Sequence, residues 1–68
     1  MNVFVNGKVQ AVSVDSSVLD IVEKVCGSPV PNGVAVALNS MVIPRRQWNS
    51  TTVENDDSLE ILWASSGG

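Results

Sequence analysis

The sequence contains no histidine and no tyrosine, and Cys26 is its single cysteine. Histidine is the commonest general base in enzymes, and cysteine is a good nucleophile only where its thiolate is stabilised. Residues that usually carry catalysis are therefore scarce, which makes an enzyme the less favoured interpretation. A single cysteine also excludes an intramolecular disulfide and is typical of a reducing compartment. We therefore expect a cytoplasmic protein.

Basic side chains are also few. Lys and Arg number four against seven Asp and Glu, which gives a formal charge of −3. The one basic pair is Arg45-Arg46, so the sequence lacks the positive surface that binds nucleic acid or an anionic membrane. It also lacks a membrane-length apolar run and a signal-like N-terminal segment. Nucleic acid and membrane are therefore not expected as partners, whereas an acidic surface suits a basic protein.

The length of 68 residues allows one domain. A domain of this size buries only about 60% of the surface that its unfolded chain exposes. We therefore expect a core made of one sheet face covered by a single helix, with little material left to build a ligand cleft. The predicted organisation is a folded domain at 1–63 and a flexible tail of small residues at 64–68. No bound metal or cofactor is expected.

The first residues predict a β-hairpin. Residues 2–6 are rich in β-branched and aromatic side chains, and residues 9–14 alternate valine with smaller side chains, both of which are typical of strands. Asn6-Gly7 lies between them, and this pair tolerates the positive φ angles of a tight hairpin turn.

The next segment predicts a helix of about ten residues. Ser17 with Asp20 three positions later forms an approximate capping box, in which Asp replaces the usual Glu or Gln. Apolar residues then recur at helical spacing, at Val18, Leu19, Val22, Val25 and Cys26. Gly27 is a suitable helix terminator, and the prolines at 29 and 31 prevent continuation.

The second half predicts three more strands, at 34–38, 41–43 and 59–63, whereas 45–58 shows no sustained period. The order β-β-α-β-β-β indicates an α+β fold with a mixed sheet, and the β-grasp arrangement is the natural candidate, with its first and last strands parallel at the sheet centre. Strand side chains alternate between faces. The residues expected to face the helix are therefore Val3, Val5, Leu59 and Ile61.

By the same alternation, Phe4 and Leu62 are expected on the opposite face of the sheet. Single exposed apolar residues carry no information, but neighbouring ones can form a patch that binds another protein. Phe4 and Leu62 are therefore a candidate docking surface.

The most informative segment is the end of the sequence, Ala64-Ser65-Ser66-Gly67-Gly68. Glycine has no Cβ and adopts backbone angles closed to other residues, so Gly67 and Gly68 suit a chain that must enter a narrow channel of another protein. The expected reactive group is then the Gly68 carboxylate. Taken alone, a Gly-Gly pair is equally compatible with a frayed terminus.

Three further motifs precede this pair. They are Val36-Ala37-Leu38-Asn39, the run V-I-P-R-R-Q-W at 42–48, and Asp56-Asp57 before the last strand. In this order, and with Gly67-Gly68, the sequence resembles the ThiS family of thiamine-biosynthesis sulfur carriers over essentially its whole length. It departs from the family pattern at one turn, where Asn55-Asp56-Asp57 replaces the usual D-G-D.

The resemblance implies a ubiquitin-like β-grasp fold and a defined role for the terminal glycine. Gly68 would be adenylated by an ATP-using activating enzyme and converted to a thiocarboxylate, with sulfur drawn from cysteine through a desulfurase. Thiazole synthase would then take the sulfur into the thiazole ring of thiamine. The carrier would be a monomeric protein co-substrate that catalyses nothing itself, and ATP would be bound by its partner.

Two other functions remain open at this point. One is a related Gly-Gly sulfur carrier, such as the small subunit of molybdopterin synthase or a carrier for amino-acid or tRNA sulfur. The other is a plain interaction module in which Gly-Gly is accidental. The P-R-x-x-W segment favours the thiamine carrier over its relatives.

Several conspicuous side chains have ordinary structural explanations. Cys26 is expected to be a buried small hydrophobe, and Trp48 and Trp63 are expected to pack in or beside the core. The pair Arg45-Arg46 is expected to be solvated surface. Asp56-Asp57 is expected to form a turn and to bind no metal.

Overall fold

The computed structural model describes residues 1–63. The elements in chain order are β1 (Asn2–Val5), β2 (Lys8–Ala11), α1 (Val18–Cys26), β3 (Val34–Leu38), β4 (Met41–Val42), a 3-10 helix (Arg45–Ser50) and β5 (Ser58–Trp63). The predicted tail at 64–68, with Gly67 and Gly68, lies outside the described residues. Among the described residues, no helix is long and apolar enough to cross a membrane.

The five strands form one mixed sheet in the order β2-β1-β5-β3-β4. β1 and β5 are parallel neighbours, with Phe4 opposite Ser58 and Val5 opposite Leu59. The other pairs are antiparallel, and α1 packs across one face. The β-grasp fold predicted from the sequence is therefore confirmed, including its parallel pair of first and last strands.

The core lies between α1 and the sheet face that α1 covers. The four strand residues expected to face the helix, Val3, Val5, Leu59 and Ile61, are all buried. Their burial follows from the alternation of side chains along β1 and β5. The sheet half of the predicted core is therefore confirmed.

The helical half of the core differs from the prediction. α1 buries Val18, Ile21 and Val22, whereas Val25 is 37% exposed and Leu19 and Cys26 are partly buried at the margin of the core. Positions i, i+3 and i+4 form the narrow stripe that a short helix presents to a sheet. The prediction missed Ile21 because the apolar residues of this helix cover more than one face.

The start of α1 confirms the predicted capping box. The Asp20 N–H donates to Ser17 Oγ at 3.0 Å, and the Ser17 N–H donates to Asp20 Oδ2 at 2.9 Å. The helix ends at Gly27, whose φ of +93° is unfavourable for other residues. Both ends of α1 are therefore determined by local sequence.

Strand β2 is shorter than predicted, because it ends at Ala11 and not at Val14. The Val12 N–H still donates to the carbonyl of Met1 at 2.8 Å, and the side chain of Val12 is buried. The chain then turns away from the sheet, since Asp15 has a φ of +68°. Val14 is left exposed before this turn.

The aperiodic segment after β4 contains the 3-10 helix at Arg45–Ser50, which the sequence did not predict. Its function is to place Trp48, which is 1% exposed and among the largest fully buried side chains. The Trp48 indole N–H donates to the carbonyl of Ile43 at 2.8 Å. The prediction that Trp48 packs in the core is confirmed.

The corresponding prediction for Trp63 is wrong, because this side chain is 53% exposed. Trp63 has the same strand parity as Leu59 and Ile61 and lies opposite Val34. The paired part of β1, however, ends at Val5 opposite Leu59. Trp63 therefore extends beyond the part of the sheet that has neighbours on both sides.

Both hairpin turns consist of two residues with positive φ, which is the geometry of a type I′ turn. The first turn has Asn6 at +51° and Gly7 at +83°, and the second has Asn39 at +49° and Ser40 at +72°. Glycine and asparagine adopt left-handed backbone readily, whereas serine does so at a cost in free energy. Ser40 is therefore the strained residue of these two turns.

We predict that Ser40→Gly raises the free energy of unfolding by about 0.5–1 kcal/mol, the left-handed strain relieved exceeding the flexibility gained by the unfolded chain. The measurement is urea denaturation followed by circular dichroism. Ser50→Gly is the matched control, since the Ser50 hydroxyl donates to the Gln47 carbonyl at 3.2 Å and this substitution is expected to destabilise. A Ser40→Gly variant that is less stable than the parent would contradict the proposed strain.

Candidate functional site

The sheet face that α1 does not cover is called here the open face. Alternation along the strands assigns to it Val9 of β2, Phe4 of β1, Glu60 and Leu62 of β5, and Val42 of β4. Each follows from the pairing register of its strand. Val9, Val42 and Leu62 on this face are large apolar side chains that are left exposed.

The two residues predicted as a docking surface both lie on the open face but are not adjacent. Phe4 is partly buried and is opposite Ser58, whereas Leu62 is 62% exposed and is opposite Ala35. Four positions of β5 separate Ser58 from Leu62, which is about 13 Å at the rise of a strand. Phe4 and Leu62 therefore mark two ends of one face, and their role in docking stays a prediction.

Other apolar residues on the open face extend each end. Val9 is opposite Phe4 across the first hairpin, and Val42 is opposite Ala37 across the second. Both valines are exposed, and Glu60 lies between the two ends on β5. Sequence reasoning missed these valines because their neighbours are known only once the strand register is known.

The last strand, which precedes residues 64–68, is held by two asparagine side chains. Asn39 Oδ1 accepts the Ser58 N–H at 2.9 Å at the start of β5. Asn6 Oδ1 accepts the Ile61 N–H at 2.8 Å, and Asn6 Nδ2 donates to the Ile61 carbonyl at 3.2 Å. Each asparagine is the first residue of a hairpin turn, so each turn also anchors β5.

The acidic turn before β5 is stabilised by the carboxylate of Asp57. Asp57 Oδ2 accepts the Glu54 N–H at 2.7 Å, and Asp57 Oδ1 accepts from Asn39 Nδ2 at 3.0 Å. Asp56 has a φ of +70° at the position where the family pattern has glycine. The prediction of a turn is confirmed, and within residues 1–63 no group of three potential metal-binding side chains occurs.

Arg45 is exposed, as the sequence predicted, but its guanidinium also makes contacts that the sequence did not predict. Its guanidinium donates to the carbonyls of Val30 at 2.6 Å and Pro31 at 3.1 Å. It also lies over the ring of Trp48, 5.3 Å from the centroid, which is a cation–π distance. Arg45 therefore ties the loop before β3 to the 3-10 helix, and Arg46 is exposed as expected.

Cys26 lies at the last position of α1 and is partly buried against the core. Burial raises the pKa of its thiol, since a thiolate is disfavoured away from water. The thiol is therefore protonated at neutral pH and is a weak nucleophile. This agrees with its interpretation as a small hydrophobic side chain.

Comparison with known proteins adds to this geometry. A scan against protein-family models matches the ThiS family over residues 2–68. This chain belongs to the ThiS family. A search of curated protein sequences gives no significant match.

Two solved structures of a thiamine biosynthesis protein, ThiS, from Geobacter metallireducens are similar to this chain. The crystal structure has a TM-score of 0.79 at 31% identity, with 100% of both chains covered. The NMR solution structure has a TM-score of 0.77 at 32% identity, covering 100% of this chain and 88% of the other. The likeness therefore covers the whole fold.

The motifs that carried the resemblance to ThiS have structural explanations. Val36-Ala37-Leu38-Asn39 is the end of β3 and the residue that anchors the start of β5. Pro44 and Arg45 stand at the start of the 3-10 helix. Trp48, within that helix, packs in the core. These residues build the fold.

We predict that Phe4→Ala leaves the fold intact but weakens binding to the thiamine-pathway enzymes that family membership implies as partners. Loss of a large apolar side chain at an interface hot spot typically costs more than about 1 kcal/mol. The measurement is isothermal titration calorimetry beside thermal unfolding.

Leu62→Ala is the matched variant at the other end of the open face. It should leave the unfolding midpoint unchanged, because Leu62 is already exposed in the free protein. If both variants fold and bind these enzymes with parental affinity, the open face is not the docking surface. A collapse of the midpoint in Phe4→Ala alone would show that Phe4 belongs to the core.

Proposed function

We propose that this chain is a sulfur carrier of thiamine biosynthesis that transports sulfur as a thiocarboxylate on Gly68. The observation that carries the proposal is the family match, which extends through Gly67 and Gly68. The similarity to solved ThiS structures over the whole chain supports it further. The chain would be a co-substrate, and ATP would be bound and used by an activating enzyme.

The chemistry begins with a carboxylate, which is a poor electrophile until it is activated. An oxygen of the Gly68 carboxylate attacks the α-phosphorus of ATP, and pyrophosphate leaves, which gives an acyl-adenylate. Hydrosulfide then attacks the acyl carbon. If the sulfur comes from cysteine through a desulfurase, it arrives as a persulfide, and a thiol must reduce it by two electrons to this level. AMP leaves, one proton is released, and the product is the thiocarboxylate that thiazole synthase would consume.

The described residues support a carrier that depends on its partners for catalysis. Partial burial raises the pKa of the Cys26 thiol and so lowers its thiolate fraction, and the sequence contains no histidine to act as a general base. The charged side chain with the most extensive contacts, Arg45, binds backbone carbonyls of its own chain. The domain therefore serves to be recognised and to present residues 64–68.

We predict that incubation with ATP, the activating enzyme and sulfide replaces one oxygen of Gly68 by sulfur. Intact-protein and C-terminal peptide mass spectrometry would locate the change. Cys26→Ala is the control, and it should be converted as fully as the parent, because the thiol takes no part in the reaction. Sulfur found on Cys26, with Gly68 unmodified, would overturn the carrier function.

We also predict that deletion of Gly68 abolishes adenylation while the fold is retained. The deletion moves the terminal carboxylate back by about 3.3–3.6 Å of extended chain, and a misplacement of 1 Å can already cost about 100-fold in rate. Gly67→Phe should have the same effect, because its side chain would obstruct a narrow channel.

The measurement for both variants is ATP–pyrophosphate exchange, with circular dichroism as the test of folding. Gly67→Ala is the matched mild substitution, since it adds one methyl group and is expected to retain most of the activity. A folded deletion variant that is adenylated at the parental rate would show that Gly68 is not the reactive residue.

A further inference from the structure

Asn6 makes an unusual set of hydrogen bonds to the last strand. Its N–H donates to the Leu59 carbonyl at 2.9 Å and so closes the ladder between β1 and β5. Its side chain then accepts from the N–H of Ile61 and donates to the carbonyl of the same residue, at 2.8 and 3.2 Å. The carboxamide thus supplies Ile61 with the acceptor and the donor that two peptide groups of a longer β1 would supply.

The bonds of the Asn6 side chain to Ile61 extend the hydrogen bonding between β1 and β5 past Leu59, where the backbone of β1 turns away from β5. The backbone of Asn6 turns into the hairpin with a φ of +51°, so β1 cannot extend along β5 past Leu59. Both bonds to Ile61 are partly buried, and buried peptide groups without partners are costly. Ile61 is therefore held on its β1 side by a side chain and not by a strand.

Beyond Ile61 only Leu62 and Trp63 remain before residues 64–68. The direction of the strand at this point decides where those residues begin. A side chain that satisfies both polar groups of Ile61 restrains its peptide planes and therefore the direction of the strand. On the other side of β5, pairing with β3 continues to Trp63. The Asn6 carboxamide is thus placed to set the direction of β5 on its β1 side.

We propose that Asn6 is a positioning residue for activation of the carrier, because its carboxamide fixes the direction in which β5 presents residues 64–68 to the activating enzyme. This rests on the proposed function, since it assumes that Gly68 is adenylated. Asn6 lies at the turn of the hairpin and is not among the residues of the open face. We therefore expect its loss to slow adenylation within the bound complex and to leave the affinity for the activating enzyme unchanged.

The variant that isolates this role is Asn6→Gly. Glycine adopts positive φ without strain, and with Gly7 it retains a residue pair suited to a type I′ turn. The substitution therefore removes the carboxamide and retains the turn. Asn6→Asp is the second variant, because aspartate tolerates left-handed backbone and keeps the acceptor for the Ile61 N–H while losing the donor to its carbonyl.

Asn39→Gly is the matched control. Asn39 has the same residue type, a similar φ of +49° and the same position in a two-residue turn. Its carboxamide also bonds to β5, but at Ser58, the opposite end of the strand from the tail. If the two asparagines only stabilise the fold, Asn6→Gly and Asn39→Gly should change kcat and Ile61 amide exchange to the same extent.

The experiment measures kcat and KM for the carrier in ATP–pyrophosphate exchange by the activating enzyme, together with amide hydrogen exchange of Ile61. We expect Asn6→Gly to lower kcat by about tenfold or more, in keeping with the sensitivity of positioned reactions to small displacements, and to leave KM unchanged. Its Ile61 amide should exchange faster relative to Val12, whose N–H bonds to Met1. Asn6→Asp should give an intermediate kcat.

For Asn39→Gly we expect a parental kcat and a parental ratio of Ile61 to Val12 exchange, even if its unfolding midpoint falls. Equal loss of kcat in the two glycine variants, or a change confined to KM, would overturn the positioning role. If Asn6→Gly does not fold, Asn6→Asp becomes the test. A parental kcat in Asn6→Asp would then overturn the positioning role of Asn6. A parental protein that is not adenylated at all would overturn the proposed function itself, and the positioning role with it.

Discussion

The parallel pairing of β1 with β5 is the constraint on which the rest of the structure depends. It joins residues at the two ends of the domain, with Asn6 bonded to a residue 55 positions away, so its formation has to overcome the loop-closure entropy of nearly the whole chain. Val3, Val5, Leu59 and Ile61 meet at this pairing and are covered by α1. Parallel neighbours also require a crossover, which the intervening helix and strands provide.

The same pairing places the strand that precedes the functional segment at the centre of the sheet. β5 has β1 on one side and β3 on the other. Side chains from the two hairpin turns anchor it at its first residue, Ser58, and at Ile61. The strand that leads into residues 64–68 is therefore held by both of its neighbouring strands and by the side chains of two turns.

The features that were predictable from the sequence are those set by neighbouring residues, such as the capping box of Ser17 and Asp20, the Asn6-Gly7 turn and the alternation along β5. The 3-10 helix was not predictable, because one buried Trp48 creates no period. The contacts of Arg45 and the side-chain bonds of Asn6 depend on carbonyls and amides that only the tertiary fold brings close. For the same reason, the sequence did not predict the register that separates Phe4 from Leu62. It also did not predict that β1 ends too early to cover Trp63.

The contrast between the two tryptophans has an optical consequence. Trp48 is sealed in the core beneath the 3-10 helix, whereas Trp63 is half exposed at the last position of β5, and the chain contains no tyrosine to contribute emission. Trp48 therefore emits from an apolar environment and Trp63 from a largely aqueous one. A protein that covers the end of β5 shifts only the aqueous component towards the blue, so the carrier contains an intrinsic fluorescence probe for its own capture.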